Sequence, residues 1–243
     1  MTRSKELTPD EVLEILEKRR KIRNTAGRIS HDLCVKEDAQ IYERYWSGRD
    51  DVSLTLNAGT YSGKKAVEAY YEACGEEIEL TSKLIAEKFP EAFEGKTKEE
   101  LYGVGMINYT PVDSHVIEIA GDGQSAKALF NVRGSYCYLT PSGPVANWTY
   151  GYMAMDLISE DGEYKIWHMQ LLYNVDNPCG VNFISPGKNY EPVEGFEKIA
   201  EFKMPEPNAG KEAEHYHPFR QHQITPEVPE PYETFEDTFS YGL

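Results

Sequence analysis

The residue best suited to proton transfer is His115, the first residue of the segment HVIEI. A period of two residues places it on the same strand face as Ile117 and Ile119, so it lies on an apolar face. Imidazole gains and loses a proton near neutral pH and can therefore act as a general base. The alternative is a buried neutral histidine that is bonded to a backbone carbonyl.

Asp32 and Tyr61 are the other candidate catalytic residues. Asp32 follows Ile29 by three residues and borders the apolar stripe of a predicted helix. Its carboxylate could orient His115 or act as the base itself; the alternative is a helix-end carboxylate exposed to water. Tyr61 is predicted in a turn near the pocket rim, where its hydroxyl could polarise a leaving oxygen.

The candidate substrate-binding residues lie on predicted strands. Trp148, Tyr150 and Tyr152 alternate and share one face, which is either a wall for ligand stacking or the packed face of a dimer. Arg133 is in mid-strand, where an anionic ligand or an acidic partner would stabilise it if it were buried; otherwise it faces solvent.

His168 completes the candidate substrate-binding set. A period of two residues places it on the same face as Tyr164, Ile166 and Gln170.

No metal or cofactor is predicted. His215, His217 and His222 are close in sequence, but they lie on a tail without predicted helices or strands, which lacks the carboxylate geometry and the supporting residues of a metal site. No glycine-rich nucleotide motif, P-loop or nucleophile elbow is present. The four cysteines are scattered, which is typical of reduced thiols in a cytoplasmic protein.

Composition limits the class of partner. The 243 residues carry a net charge of −16, which disfavours nucleic acids and anionic membrane surfaces. We expect neither a signal peptide nor a transmembrane helix, because no apolar stretch approaches about 18 residues. The expected partner is a small-molecule substrate.

The order of the predicted elements indicates an α+β fold. Helical periodicity comes first, and Thr8 and Glu11 form a capping box at its start. Four long strands joined by short turns then form an antiparallel meander. The predicted helices cover residues 9–33, 38–46, 64–93 and 98–102, and the predicted strands cover residues 52–56, 112–120, 126–139, 145–158 and 164–175.

The chain divides into a domain at residues 1–180 and a C-terminal arm at residues 181–243. The arm is rich in proline but also in regularly spaced aromatic residues, unlike most disordered tails. We therefore expect an extended segment pinned to a surface, either of its own domain or of a neighbouring subunit. The arm favours a homo-oligomer, with the arm crossing onto the partner or closing over the pocket.

Residues 9–177 resemble SnoaL-like and nuclear transport factor 2-like domains. The resemblance rests on the order of the first elements, on the segment GKKAVEAYY that begins at Gly63, and on the hairpin EDGEYKI that begins at Glu160. It implies a cone-shaped, curved antiparallel sheet with the N-terminal helices on its concave face. The segment HVIEI resembles a strand of the dehydratase members that carries a catalytic histidine.

The resemblance also implies a range of functions. The superfamily includes ketosteroid isomerase, scytalone dehydratase, polyketide cyclases, bile acid 7α-dehydratase and lignin-dimer formaldehyde lyases. We therefore predict a cofactor-independent lyase that acts by proton transfer on a small hydroxylated aromatic or polycyclic substrate. The alternatives are an isomerase or cyclase and a non-catalytic binding module, since fold alone does not decide function.

Overall fold

The computed structural model describes residues 7–140, 143–179, 198, 201–213, 215–216, 219 and 226–242.

The first helix is fixed by its N-terminal cap. Helix α1 (Pro9–Cys34) begins after Thr8, whose side chain accepts a hydrogen bond from the Glu11 backbone while the Glu11 carboxylate accepts one from the Thr8 backbone. This capping box satisfies helix donors that would otherwise lack partners. The predicted helix is confirmed.

The remaining helices follow the predicted order. A 3-10 turn (Asp38–Gln40) leads into α2 (Ile41–Tyr45), and the long helix α3 (Lys64–Lys88) is followed by the short helices α4 (Pro90–Phe93) and α5 (Lys98–Leu101). Among the described residues, no helix combines the length and the apolar composition that crossing a membrane requires.

Within the described residues, seven strands form one curved sheet that does not close. Their spatial order is β2-β1-β7-β6-β5-β3, with β4 paired to β5 beside β3. All neighbours are antiparallel except β1 and β7, which are parallel. The predicted α+β class with a curved antiparallel sheet is confirmed, and one strand pair within that sheet is parallel. The strands are β1 (Ser53–Leu56), β2 (Gly59–Ser62), β3 (Met106–Tyr109), β4 (Val112–Ile119), β5 (Ser125–Thr140), β6 (Gly143–Glu160) and β7 (Glu163–Pro178).

Two short strands differ from the sequence prediction. Strand β2 occupies the region predicted as a turn, so Tyr61 lies in a strand that pairs with β1. Strand β3 lies between the predicted helix at residues 98–102 and the predicted strand at residues 112–120, where no element is predicted. Neither segment alternates strictly between apolar and polar residues, so the pattern of period two that predicts a strand is absent from both.

The two faces of the sheet are covered differently. The concave face packs on α1 and α3 and carries most of the core, including Phe130, Met153 and Met155. The outer face carries a second, smaller cluster in which Leu129 and Ala154 pack against Tyr241 of the C-terminal arm. Helices therefore cover one face of the sheet, and the arm covers part of the other.

Arm residues 226–242 are held to the outer face by a buried ion pair. The Lys127 ammonium lies 2.5 Å from an Asp156 carboxylate oxygen, and both side chains are fully buried. The other Asp156 oxygen accepts hydrogen bonds from the Ser240 hydroxyl at 2.9 Å and the Tyr241 backbone at 2.7 Å. The ring centroids of Phe235, Phe239 and Tyr241 lie 4.4–4.9 Å from the ammonium, within cation–π range.

The described arm thus packs on its own domain. Of the two surfaces that the sequence left open, its own sheet is the one that residues 226–242 contact. The expectation of a homo-oligomer stays a prediction, and sedimentation of the full chain against a chain ending at residue 204 would test it.

The ion pair generates the first stability prediction. Asp156→Asn should lower the free energy of unfolding by about 3–5 kcal/mol, because it leaves a buried ammonium without its counter-charge. Urea denaturation measures this loss. Glu163→Gln is the matched control, since it breaks an exposed ion pair with Lys21 and should cost about 0–1 kcal/mol. Equal losses in the two variants would show that the Lys127–Asp156 pair does not hold the arm.

Candidate functional site

His115 lies on the concave face, as its spacing predicts, but at an exposed position. It pairs with Phe130 of β5, and the two ring centroids are 5.7 Å apart. Ser114 is an extra residue in β4 with φ of +24°, so the strand is bulged just before His115. The ring therefore rests on the edge of the core instead of entering it.

Asp32 is bound to α2 and does not contact His115. Its carboxylate accepts a hydrogen bond from the Tyr45 hydroxyl at 2.7 Å and pairs with the Arg44 guanidinium at 3.0 Å. Helix α1 contacts β4 through Arg19 at Glu118, and Asp32 lies 13 residues further along the helix, which is roughly 20 Å at 1.5 Å per residue. The structure does not bring the two predicted catalytic side chains together, and their catalytic roles stay predictions.

The Tyr61 side chain is hydrogen-bonded to the C-terminal arm. Its ring is buried against Tyr70 at 4.8 Å between centroids, and its hydroxyl donates to the Pro205 carbonyl at 2.9 Å. Burial raises the pKa of Tyr61 above its usual value, which disfavours the phenolate. The hydroxyl therefore holds the arm to β2.

The aromatic residues of β6 lie on the outer face, opposite the core. Trp148, Tyr150 and Tyr152 alternate with buried residues, and Trp148 and Tyr150 are 45% and 40% exposed. Arg133 pairs with Tyr150 across the strands and forms an exposed ion pair with Asp113 at 3.0 Å. This face is separated from His115 by the sheet, so these residues do not form one pocket with it.

His168 also lies on the outer face, which corrects the face predicted from its spacing. Ile166 pairs with Leu157 but His168 pairs with Asp156, so Trp167 is an extra residue that reverses the alternation. The His168 Nδ1 lies 2.9 Å from the Ser53 hydroxyl, and Gly242 of the arm packs against the ring. The arm therefore buries His168, and its role in substrate binding stays a prediction.

The histidines of the arm give no described metal site. Within the described ranges, no group of three metal-ligating side chains is found. His215 belongs to these ranges, whereas His217 and His222 lie outside the described residues.

A polar group on the concave face was missed by the sequence analysis. Tyr136 of β5 and Asn147 of β6 pair directly, and Asp176 of β7 lies next to them. The Tyr136 hydroxyl lies 3.0 Å from both Asp176 carboxylate oxygens, and the Asn147 amide nitrogen lies 2.8 Å from the Tyr136 hydroxyl and 2.7 Å from Asp176 Oδ1. We call these three residues the Asn147 cluster.

The hydrogen bonds fix the orientation of the Asn147 amide. An ionised carboxylate only accepts hydrogen bonds, so the NH₂ group must face Asp176. The Tyr136 hydroxyl donates to Asp176, and its oxygen accepts from Asn147. Both N–H groups are then used, and Asn147 Oδ1 points elsewhere. Asn147 is 0% exposed, and its Oδ1 has no hydrogen-bond partner among the described residues.

The cluster is separate from His115. Both lie on the concave face, but six residues of β5 separate Phe130, which pairs with His115, from Tyr136. At about 3.3 Å per residue this separation is roughly 20 Å. The sequence did carry a signal for the cluster: Asn147 and Thr149 alternate with the aromatic residues of the same strand.

Solved structures resemble this chain at low sequence identity. The Kfla4162 protein of Kribbella flavida is 13% identical with a TM-score of 0.49, over 67% of this chain and 95% of that one. A Novosphingobium aromaticivorans protein provisionally named scytalone dehydratase is 13% identical with a TM-score of 0.48, over 73% and 97%. Hexachlorocyclohexane dehydrochlorinase LinA-type3 from Novosphingobium barchaimii is 14% identical with a TM-score of 0.43, over 72% and 99%.

No protein-family model matches the sequence, and no curated protein matches it. At the identities above, the function of the chain has to follow from the geometry of its own site.

His168 generates a prediction about pH. Burial lowers the pKa of His168 below its usual 6.5, as do the cations Lys127 and Arg49, while Asp156 and Asp51 oppose the shift. The unfolded chain therefore binds this proton more readily, so His168 contributes a fall in folding stability as pH drops below about 6.5. Asp38 makes the opposite contribution, because burial raises the pKa of its carboxyl to about 6. Urea denaturation between pH 7.5 and 5 measures the slope.

Two variants isolate the contribution of His168. His168→Asn removes the titrating group and should take away the part of the slope in which stability falls with falling pH. Ser53→Ala removes its hydrogen-bond partner but keeps the imidazole, so it should lower stability and leave the slope in place. A slope that is the same in wild type and His168→Asn would contradict the assignment.

Proposed function

We propose that the chain is a cofactor-independent lyase that acts by proton transfer on a small hydroxylated aromatic or polycyclic molecule bound at the Asn147 cluster. The observation that carries the proposal is Asn147 Oδ1, a fully buried acceptor with a fixed orientation and no described donor. A buried polar atom without a partner costs about 1–3 kcal/mol. A ligand that donates a hydrogen bond there would recover that cost.

The neighbouring groups favour a hydroxyl as the donor. The Asp176 carboxylate disfavours an anionic ligand and tolerates a neutral or cationic one. The rings of Tyr136 and Tyr138 lie parallel, with an interplanar angle of 12° and centroids 6.5 Å apart. The surroundings of the polar atoms are therefore aromatic, which is compatible with an aromatic or polycyclic molecule.

The same groups can carry out an elimination. The Asp176 carboxylate takes the proton from an acidic C–H of the substrate, and the electron pair of that bond forms the new double bond. The bond from carbon to the leaving oxygen breaks as the Tyr136 hydroxyl gives that oxygen its proton. The proton on Asp176 then passes along the existing hydrogen bond to Tyr136, which restores both groups.

Asp176→Asn should remove the general base while keeping the size of the side chain. We expect turnover to fall by about 10²-fold or more, because general base catalysis contributes about 10²–10⁴-fold. Turnover is measured by mass spectrometry as loss of water or formaldehyde from a panel of hydroxylated aromatic compounds. Circular dichroism checks that the variant is folded.

Two further variants separate this site from the residues predicted from sequence. Arg133→Gln lies on the outer face and should keep full turnover. His115→Ala distinguishes the two hypotheses, because a catalytic His115 requires a loss of about 10²-fold and the Asn147 cluster requires none. Full activity in folded Asp176→Asn would eliminate the proposed mechanism. Ligand binding without turnover in wild type would favour the non-catalytic alternative.

A further inference from the structure

We infer that Asn57, which lies outside the Asn147 cluster, is the positioning residue that keeps Asp176 on the concave face of the sheet. The importance of this for turnover rests on the proposed function, but the positioning itself does not. Asn57 is the first residue of the two-residue turn between β1 and β2. It contacts neither Asn147 nor Tyr136 in the described hydrogen bonds.

Where β1 ends, the Asn57 side chain makes the hydrogen bonds to β7 that a neighbouring strand would otherwise make. Strand β1 pairs with β7 only as far as Gln170. Beyond that point, the Asn57 amide nitrogen donates to the Tyr173 carbonyl at 2.9 Å, and the Tyr173 backbone N–H donates to Asn57 Oδ1 at 2.8 Å. One side chain thereby supplies both hydrogen bonds that a neighbouring strand would have given to Tyr173.

The residue after Tyr173 is the bulge that determines which side chains face inward. Tyr173 pairs with Gly151 and Val175 pairs with Tyr150, so Asn174 is an extra residue in β7. Without it, strict alternation from Tyr173 would place Asp176 on the outer face. With it, Asp176 pairs with Thr149 and faces the cluster.

The backbone is closely packed on the β6 side of this bulge. A Cβ at Gly151 would lie 1.9 Å from the Leu172 carbonyl oxygen, so only glycine fits there. The C-terminal arm is hydrogen-bonded both to Asn57 and to the bulge residue Asn174. The Ala213 N–H donates to the Asn57 carbonyl and the Tyr216 N–H donates to the Asn174 carbonyl, each at 2.7 Å.

Asn208 provides a matched control for Asn57. Its side chain makes the same pair of hydrogen bonds to the backbone N–H and carbonyl of Ser62, at 2.7 and 2.9 Å. These bonds attach the arm to β2, away from β7. Asn57→Ala and Asn208→Ala therefore each remove two bonds of one kind, but only Asn57→Ala releases the bulge.

The test is solvent exchange of the Asn147 side-chain NH₂ protons, followed by NMR in ¹⁵N-labelled full-length protein. The Asn147→Leu variant assigns the signal, and Asp176→Asn gives the exchange rate expected when the carboxylate acceptor is lost. Asn57→Ala should exchange about tenfold faster than wild type and approach the Asp176→Asn rate, because a hydrogen bond to a charged group is lost. Asn208→Ala should exchange at the wild-type rate.

The milder variant Asn57→Gln covers the case in which Asn57→Ala does not fold. It keeps both the acceptor and the donor on a side chain that is one methylene longer, so the two hydrogen bonds to Tyr173 are strained and the exchange rate should be intermediate. A wild-type exchange rate in a folded Asn57 variant would overturn the inference. The measurement needs no substrate, so its outcome does not depend on the proposed function. The proposed function is contradicted only if turnover or ligand binding is not observed.

Discussion

One extra residue in β7, Asn174, is the feature on which the arrangement of the candidate site depends. A sheet has a strict two-residue alternation, so a single insertion moves every later side chain to the opposite face. Here the insertion turns Asp176 toward Tyr136 and Asn147. The same strand contains a second insertion at Trp167, which turns His168 away from the core. The two bulges therefore decide which titratable side chains of β7 are close to a possible ligand.

The outer face has a different physical role from the concave face. There the buried Asp156 carboxylate is satisfied by the chain itself, because it accepts hydrogen bonds from Lys127, Ser240 and Tyr241. On the concave face, Asn147 keeps a buried acceptor without a described partner. A satisfied buried network specifies structure, whereas an unsatisfied one indicates a binding site or an ordered water. This contrast is the reason for placing function at the Asn147 cluster.

Local rules predicted the helices, and long-range contacts decided the rest. The capping box at Thr8 and the apolar stripe of α1 are properties of neighbouring residues, so the helix could be predicted from sequence. The faces of His168 and Asp176 depend on bulges that leave no pattern in a single sequence. The aromatic side chains of β6 favoured the prediction of a binding site on the face that proved to be the outer one, although Asn147 and Thr149 alternate with them on the same strand. The spacing of aromatic residues predicted an arm pinned to a surface, but the contacts of Tyr241 were needed to identify that surface.

The most direct test of the central claim is an NMR titration that follows the Asn147 side-chain amide. Each hydroxylated aromatic compound would be compared with its own methyl ether, which lacks the hydroxyl proton but is otherwise the same. If Asn147 Oδ1 accepts a hydrogen bond from the ligand, the hydroxyl compound should shift the Asn147 signal and the methyl ether should not. If both compounds shift only the indole signal of Trp148, the ligand binds the outer face and the claim is wrong.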